Sequence, residues 1–181
     1  MKGEIFNLLE GFIISLVGEE KFEEIYRVCL PNLETKQAYV GPESYPDKDF
    51  FQIVKRAVSV LGVEKEAAIK SFGKYCFPRL FAKIPESQRK YSNLKEFLLT
   101  INDVIHVEVK KLSPNATPPE FTYIDAGPNE LVMVYKSKRK LYDFVEGMIE
   151  SAAEYFLTTV FIRRETVEGS EESCKFHIKF G

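Results

Sequence analysis

Residues 120–157 read EFTYIDAGPNELVMVYKSKRKLYDFVEGMIESAAEYFL, and this stretch decides the fold class. Its first part holds two runs rich in β-branched and aromatic residues, 120–125 and 130–136. Between them lies Ala126-Gly127-Pro128-Asn129, a composition typical of tight connections. The two runs and their connection therefore predict a β-hairpin.

The second part of the stretch changes periodicity. From residue 140 to 157 apolar residues recur every three or four positions, which predicts a helix. Two more strands, about 159–166 and 174–180, follow around the turn-like Glu168-Gly169-Ser170-Glu171. The order strand, strand, helix, strand, strand favours an antiparallel sheet with one face covered by helix 140–157.

The part of the chain that precedes this stretch is helical in pattern. Predicted helices cover residues 4–17, 19–30, 47–61, 65–77 and 93–111. Asp47 and Ser92 are predicted N-caps, Pro78 is expected to disturb the end of the fourth helix, and residues 32–46 form a loop. The predicted class is α+β: one domain over residues 1–181, with a helical N-terminal subdomain packed on the C-terminal antiparallel sheet.

Composition excludes several classes of protein. The 181 residues are 45% hydrophobic and 29% charged, which excludes intrinsic disorder. The net charge of −2 argues against generic binding to nucleic acid or to an anionic membrane surface. No apolar stretch reaches the roughly 18 residues that a membrane span needs. Three widely spaced cysteines form no disulfide framework, so we expect a reduced, cytoplasmic protein.

Few residues are available for metal or acid–base chemistry. The chain has only two histidines, and the GxSxG, HExxH, Walker and GxGxxG motifs are missing. The close pair Cys174 and His177 lies in a predicted strand, where positions three apart face opposite sides of the sheet. A metal site at that pair is therefore not expected.

His106 lies late in the predicted long helix, with apolar neighbours on both sides. Its imidazole is expected to point into an interior. Two interpretations fit: a buried histidine satisfied by a backbone carbonyl, or a neutral axial ligand of a haem iron. Position alone leaves both open.

The segment Tyr135-Lys136-Ser137-Lys138-Arg139 follows the second predicted strand. If it stays extended, Tyr135, Ser137 and Arg139 project from one face, offering two hydroxyls and a guanidinium. Such a row suits the paired carboxylates at the edge of a haem. A solvated basic strand end is the alternative, because lysines alternate on the other side.

Taken together, these features resemble the H-NOX family, the haem nitric oxide/oxygen-binding domains related to the haem domain of soluble guanylate cyclase. The resemblance spans the Met1-Lys2-Gly3 start, the helix with His106, Ala116-Thr117-Pro118-Pro119, the YxSxR pattern and the helix after it. It implies a b-type haem between the helical half and the sheet half. It also implies that His106 is the proximal iron ligand, that Tyr135, Ser137 and Arg139 bind the propionates, and that Pro119 presses on the haem.

The same resemblance bears on ligand choice. Oxygen-binding members carry a distal tyrosine where this chain has Phe144, and the supporting distal positions correspond to Leu9 and Cys76. We expect an apolar distal pocket, with Ile5 and Met148 as further lining residues. This pattern predicts selective binding of nitric oxide, weaker binding of carbon monoxide and little stable binding of oxygen.

The predicted function is therefore a gas sensor that has no catalytic centre of its own. Nitric oxide is expected to weaken the bond between iron and His106 and so to shift the domain. At this length no output domain is expected, and the family implies a separate histidine kinase or cyclic-di-GMP enzyme as partner. The alternatives are a haem-dependent oxidase or peroxidase, an oxygen or redox sensor, and a haem-free interaction domain.

Overall fold

The computed structural model describes residues 1–102, 106 and 117–181. Contacts within the chain divide these residues into two compact units. The first unit contains residues 1–68 and Thr117, and the second contains residues 69–102, 106 and 118–181. The expectation of one domain over residues 1–181 stays a prediction. No described helix is both long and apolar enough to cross a membrane.

The first unit is helical. It contains helix α1 (Gly3–Val17), helix α2 (Glu19–Cys29), helix α3 (Asp47–Leu61) and the start of helix α4 (Lys65–Phe81). Apolar side chains at helical spacing form its core: Phe6, Leu9, Phe12, Ile13, Phe22, Ile25, Phe50 and Ile53. Gly18 ends α1 with a φ of 83°, a conformation that favours glycine, which confirms the predicted stop.

Asp47 and Asp49, at the start of α3, have different roles. The prediction that Asp47 caps α3 is wrong: it is the first helical residue, and Pro46 holds the cap position without a side-chain bond. The Asp47 carboxylate lies 2.6 Å from the N-terminal amino group. Asp49 is fully buried and accepts hydrogen bonds from the backbone N–H groups of Glu34 and Thr35, each at 2.9 Å. The loop before α3 is thereby fastened to the helix.

The second unit contains a four-stranded antiparallel sheet with strand order β1-β2-β4-β3. Its strands are β1 (Glu120–Asp125), β2 (Glu130–Lys136), β3 (Val160–Val167) and β4 (Ser170–Phe180). Helix α5 (Leu94–Thr100), helix α6 (Tyr142–Tyr155) and most of α4 also belong to this unit. Side chains of α6 share one buried cluster with those of β2 and β4, which confirms that this helix covers one face of the sheet.

Three helix ends differ from the sequence-based prediction. Helix α4 continues past Pro78 to Phe81, because Phe77 and Phe81 are buried in the core and this packing outweighs the missing backbone donor. Helix α6 is shorter than the predicted 140–157. Lys140 and Leu157 adopt left-handed φ values of 49° and 51°, so neither residue continues the helix.

The cap of α5 is Asn93, so the prediction of Ser92 is wrong by one position. The Asn93 side chain accepts a hydrogen bond from the Glu96 N–H at 2.9 Å, and the Glu96 carboxylate accepts from the Ser92 N–H at 2.7 Å. This pair is a variant of the capping box in which the Glu96 carboxylate binds the N–H of the residue before the cap. Beyond α5 the structure describes residues 101, 102 and 106, and the remainder of the helix predicted to residue 111 lies outside the described residues.

Candidate functional site

His106 begins a row of aromatic side chains in the second unit. The residue is helical and half-buried. Its ring is nearly parallel to that of Phe121 on β1, with ring centroids 5.6 Å apart and planes at 27°. Phe121 in turn contacts Tyr135 on β2 at 5.5 Å. The Phe121 N–H also donates to the Asn102 side chain at 3.3 Å, which ties β1 to the segment before His106. One face of the imidazole thus lies against β1, and its position in an interior stays a prediction.

Tyr135, Ser137 and Arg139 lie on one side of the chain, although the strand does not continue through them. β2 ends at Lys136, and a turn follows in which the Lys140 N–H donates to the Ser137 carbonyl at 3.1 Å. The Arg139 N–H lies 3.3 Å from Ser137 Oγ. Tyr135 is buried and Ser137 and Arg139 are half-buried, while the lysines between them are exposed. The condition that this segment stays extended is therefore not met, although burial alternates along it.

These residues fit a haem by the chemistry of their donor groups. His106 supplies an imidazole nitrogen that can bind iron, and its ring lies against the Phe121 ring. Tyr135, Ser137 and Arg139 supply two hydroxyls and a cation, the donors that paired carboxylates require. Pro119 is half-buried directly before β1, two residues from Phe121.

Helices α4 and α6 touch through their backbones at two glycines. A Cβ atom built on Gly73 would lie 2.2 Å from the Phe144 carbonyl oxygen, and one built on Gly147 would lie 2.0 Å from the Lys70 carbonyl oxygen. Real Cβ atoms do not approach an oxygen so closely, so both positions need glycine for this spacing. The contact places Phe144 beside α4, with its ring 5.4 Å from that of Phe72.

Of the residues predicted to line the distal pocket, the three in the second unit carry no strong hydrogen-bond donor. Phe144 and Met148 are half-buried and apolar, and Cys76 is completely buried, with only a weak thiol donor. The hydroxyl of the nearby Tyr142 is engaged elsewhere. The Tyr142 hydroxyl donates to the Glu171 carbonyl at 2.8 Å, and the Arg79 guanidinium lies 3.4 Å above the Tyr75 ring.

Ile5 and Leu9 belong to α1 in the first unit. Leu9 is buried and Ile5 is half-buried. Their participation in one pocket with residues of α4 and α6 stays a prediction.

A ladder of ion pairs also joins α4 to α6. Lys70 contacts Glu146 at 2.8 Å and Glu150 at 2.5 Å, and Lys74 contacts Glu150 at 2.8 Å. Burial alone would lower the pKa of Lys70, but hydrogen bonds to the two carboxylates outweigh it, so its pKa lies above the usual value. This ladder is not among the predicted features, although lysines and glutamates each recur four positions apart, a spacing that puts side chains on one helix face.

The cysteines and His177 lie in settings unlike a metal or redox centre. Burial raises the pKa of the thiols of Cys29 and Cys174, which keeps them protonated and poorly reactive. Cys174 faces the core, whereas His177 lies on the other face of β4, 3.2 Å from Glu165. Within residues 1–102, 106 and 117–181 no cluster of metal-ligating side chains is found. The expectation that Cys174 and His177 do not converge is confirmed.

Known proteins resemble the whole chain. The family profile described as Haem-NO-binding matches residues 2–164. An H-NOX protein from K. algicida, in the unliganded Fe(II) state, is 25% identical; the match covers 100% of this chain and 97% of that one, with a TM-score of 0.89. An H-NOX protein from S. oneidensis in the Fe(II)NO state is 27% identical over 100% and 99% of the two chains, with a TM-score of 0.87.

A mutant H-NOX from T. tengcongensis, 21% identical over 99% of this chain and 97% of that one, has the same fold, with a TM-score of 0.86. Among curated protein sequences, none matches the chain.

Proposed function

This chain belongs to the Haem-NO-binding, or H-NOX, family of haem-based gas sensors, and from that premise we propose that it is a sensor selective for nitric oxide. The observation that carries the proposal is the pairing of two features in the second unit. One is the half-buried His106 beside Phe121 and Tyr135. The other is the set Phe144, Met148 and Cys76 on α4 and α6, which offers no strong hydrogen-bond donor.

H-NOX domains bind haem, and we propose haem b as the cofactor of this chain. His106 would hold the iron, Tyr135, Ser137 and Arg139 would hold the propionates, and Pro119 would press on the macrocycle. When bound, a ferrous haem supplies a coordination position for a small diatomic gas. The protein contributes the ligand, the orientation and the polarity of the surroundings.

Selectivity follows from what surrounds the gas. A pocket retains dioxygen when a hydrogen-bond donor faces the outer oxygen atom, because that atom draws negative charge. Phe144 and Met148 have no donor, and the thiol of Cys76 is a weak one. Nitric oxide needs no such donor, so we expect it to bind tightly, with carbon monoxide as a weaker ligand. The same side chains offer no acid–base group for a peroxidase reaction.

We propose that His106 transmits the binding of the gas to the rest of the protein. Its imidazole would connect the cofactor to the helix that carries it, and it stacks on Phe121 of β1. If nitric oxide weakened the bond that His106 makes to the iron, His106 would be released and its helix could shift, as a two-state element biased by ligand. A separate histidine kinase or cyclic-di-GMP enzyme is the proposed receiver of this shift.

Absorption spectra of the ferrous protein test this function. We expect a Soret band from bound haem, a spectrum that does not change when the anaerobic sample is exposed briefly to air, and a new band with nitric oxide. A stable oxygen complex in air would contradict the selectivity. A protein without a Soret band after expression with supplied haem would contradict haem binding itself.

Phe144→Tyr tests the missing donor directly. We expect this variant to bind oxygen about tenfold more tightly than the wild type, since one added hydrogen bond is worth roughly 1.4 kcal/mol. Oxygen titration of the reduced protein, followed by absorption, measures the change. Tyr142→Phe is the matched control on the same helix, because its hydroxyl already donates to Glu171, and it should leave oxygen affinity unchanged. Equal oxygen affinity in the wild type and Phe144→Tyr would show that Phe144 does not face the gas.

A further inference from the structure

Strand β3 lies at one edge of the sheet, and the direction of its backbone groups follows from two hydrogen bonds. The Gly181 N–H donates to the Thr159 carbonyl, and the Phe180 N–H donates to the Asn129 carbonyl, both at 2.9 Å. The backbone N–H and C=O groups of Thr159 therefore point towards β4. In an antiparallel ladder this direction alternates, so the backbone groups of every second residue after Thr159 also point towards β4. The residues in between direct their N–H and C=O groups away from β4: Val160, Ile162, Arg164 and Thr166.

The outward backbone groups of β3 form an open hydrogen-bonding edge. Within residues 1–102, 106 and 117–181, no strand pairs with that side of β3. Such an edge is a template for another strand, either from a partner or from a second copy of the same chain. The side chains of β3 decide between these occupants.

The solvent face of β3 carries charges of alternating sign between apolar residues. Phe161 is 68% exposed, and the side chains of Arg163 and Glu165, which contact each other at 3.5 Å within the chain, are 59% and 41% exposed. They follow one another at every second position, so they lie in a row on one face. From one end to the other the row is apolar, positive, negative and apolar: Phe161, Arg163, Glu165 and then Val167, which follows an irregularity in the pairing at Thr166. A row of this kind is complementary to an antiparallel copy of itself.

We propose that two copies of this chain associate by antiparallel pairing of β3 with β3, extending the two sheets into one. The two-fold axis passes through Arg164, so that Arg163 of each copy lies opposite Glu165 of the other. This register places Ile162 opposite Thr166, and both residues direct their backbone groups to the outer edge. The ladder hydrogen bonds of the new pair therefore form without any loss of those to β4.

The charges select this register over its neighbours. A shift of one residue would pair outward-directed groups with inward-directed ones, which breaks the ladder. A shift by two places brings Arg163 opposite Arg163 in one direction and Glu165 opposite Glu165 in the other. Like charges directly opposite destabilise a strand pair, whereas opposite charges stabilise it. The register centred on Arg164 is thus the one that satisfies both hydrogen bonds and charges.

Arg164 meets its own copy at the centre of the pair, on the face that α6 covers. Its guanidinium is already neutralised within its own chain, 2.6 Å from Asp143 and 3.1 Å from Glu146. An inward-pointing charge on an edge strand commonly prevents pairing with another copy, because the two like charges would repel each other. Here the carboxylates of Asp143 and Glu146 offset that repulsion. The interface is isologous, since the same residues meet from both sides.

Sedimentation equilibrium of the full chain over a wide concentration series tests the dimer. We expect the mass to rise with concentration from 20.8 kDa towards twice that value, and the association to weaken as salt is added. Arg163→Glu and Glu165→Arg should each weaken association by roughly tenfold or more, because both symmetry-related pairs become repulsive. The double variant, which exchanges the two charges, should restore it.

A mixture of the two single variants tests the proposed pairing of Arg163 with Glu165 most directly. Each alone places like charges opposite each other, but together they place opposite charges at both positions, so the mixture should dimerise where neither variant does. Lys179→Glu is the control: it reverses an equally exposed charge on the same sheet face, on β4 rather than on the proposed interface. A chain that remains monomeric at all concentrations, or a mixture that does not associate, would overturn the proposal. The test is independent of haem and of the gas that binds.

Discussion

A His106→Gly variant is expected to bind haem at least about tenfold more weakly than the wild type, which corresponds to a loss of 1.4 kcal/mol or more. The reason is that His106 is the proposed iron ligand, and glycine leaves no nitrogen in its place. Haem content after purification and the Soret intensity on titration with haem measure the loss. Added imidazole should restore the spectrum, because it fits the space that the side chain leaves.

His177→Gly is the matched control for this experiment. It removes the other histidine of the chain, which lies on the far face of β4 beside Glu165. We expect His177→Gly to retain haem. If both variants lost haem equally, or if His106→Gly kept the wild-type spectrum, the assignment of the iron ligand would be wrong. Thermal unfolding of both variants without haem separates loss of the ligand from loss of the fold.

Gly147→Ala is expected to lower the free energy of unfolding by roughly 2–3 kcal/mol, the usual cost of forcing a methyl group into a packed site. The added Cβ would lie 2.0 Å from the Lys70 carbonyl oxygen and 3.1 Å from the Lys74 nitrogen. Both are backbone atoms, so α6 must move away from α4 as a whole. Urea denaturation of the wild type and the variant measures the change.

The expected loss of stability is opposite to the intrinsic preference of the two residues, because alanine ordinarily favours a helix over glycine by about 1 kcal/mol. Ser151→Ala on the same helix serves as the control and should change stability by a few tenths of a kcal/mol at most. A Gly147→Ala variant more stable than the wild type would mean that backbone contact does not limit the spacing of the helices. Since Phe144 lies at this contact, the variant should also alter carbon monoxide affinity.

Several elements were predictable because their signals are local. The bounds of β1 and β2 match the two runs of strand-forming residues, and the hairpin follows from the short connection between them. Gly18 ended α1 as expected, because a left-handed residue stops a helix wherever it occurs. Local pattern also identified four candidate haem-site residues, together with the family resemblance that their spacing supports: His106, Tyr135, Ser137 and Arg139.

Other features depended on competition between local preference and packing. Pro78 disfavours a helix, but two buried phenylalanines on either side of it keep α4 helical to Phe81. Ser92 and Asn93 are both good caps, and the reciprocal bond with Glu96 decides for Asn93. The first outcome requires knowing what α4 packs against, whereas the second depends on the side-chain bonds that form around Glu96.

By itself the sequence determined the fold class, the order of elements and the residue types at the candidate site, because hydrophobic periodicity and turn composition act over a few neighbouring residues. Only the tertiary structure decided which surfaces meet. It brought Gly147 against Lys70, separated by 77 positions in the chain, and it left β3 at the edge of the sheet with Arg163 and Glu165 facing solvent. Contacts of this kind depend on long-range packing, which local periodicity does not encode.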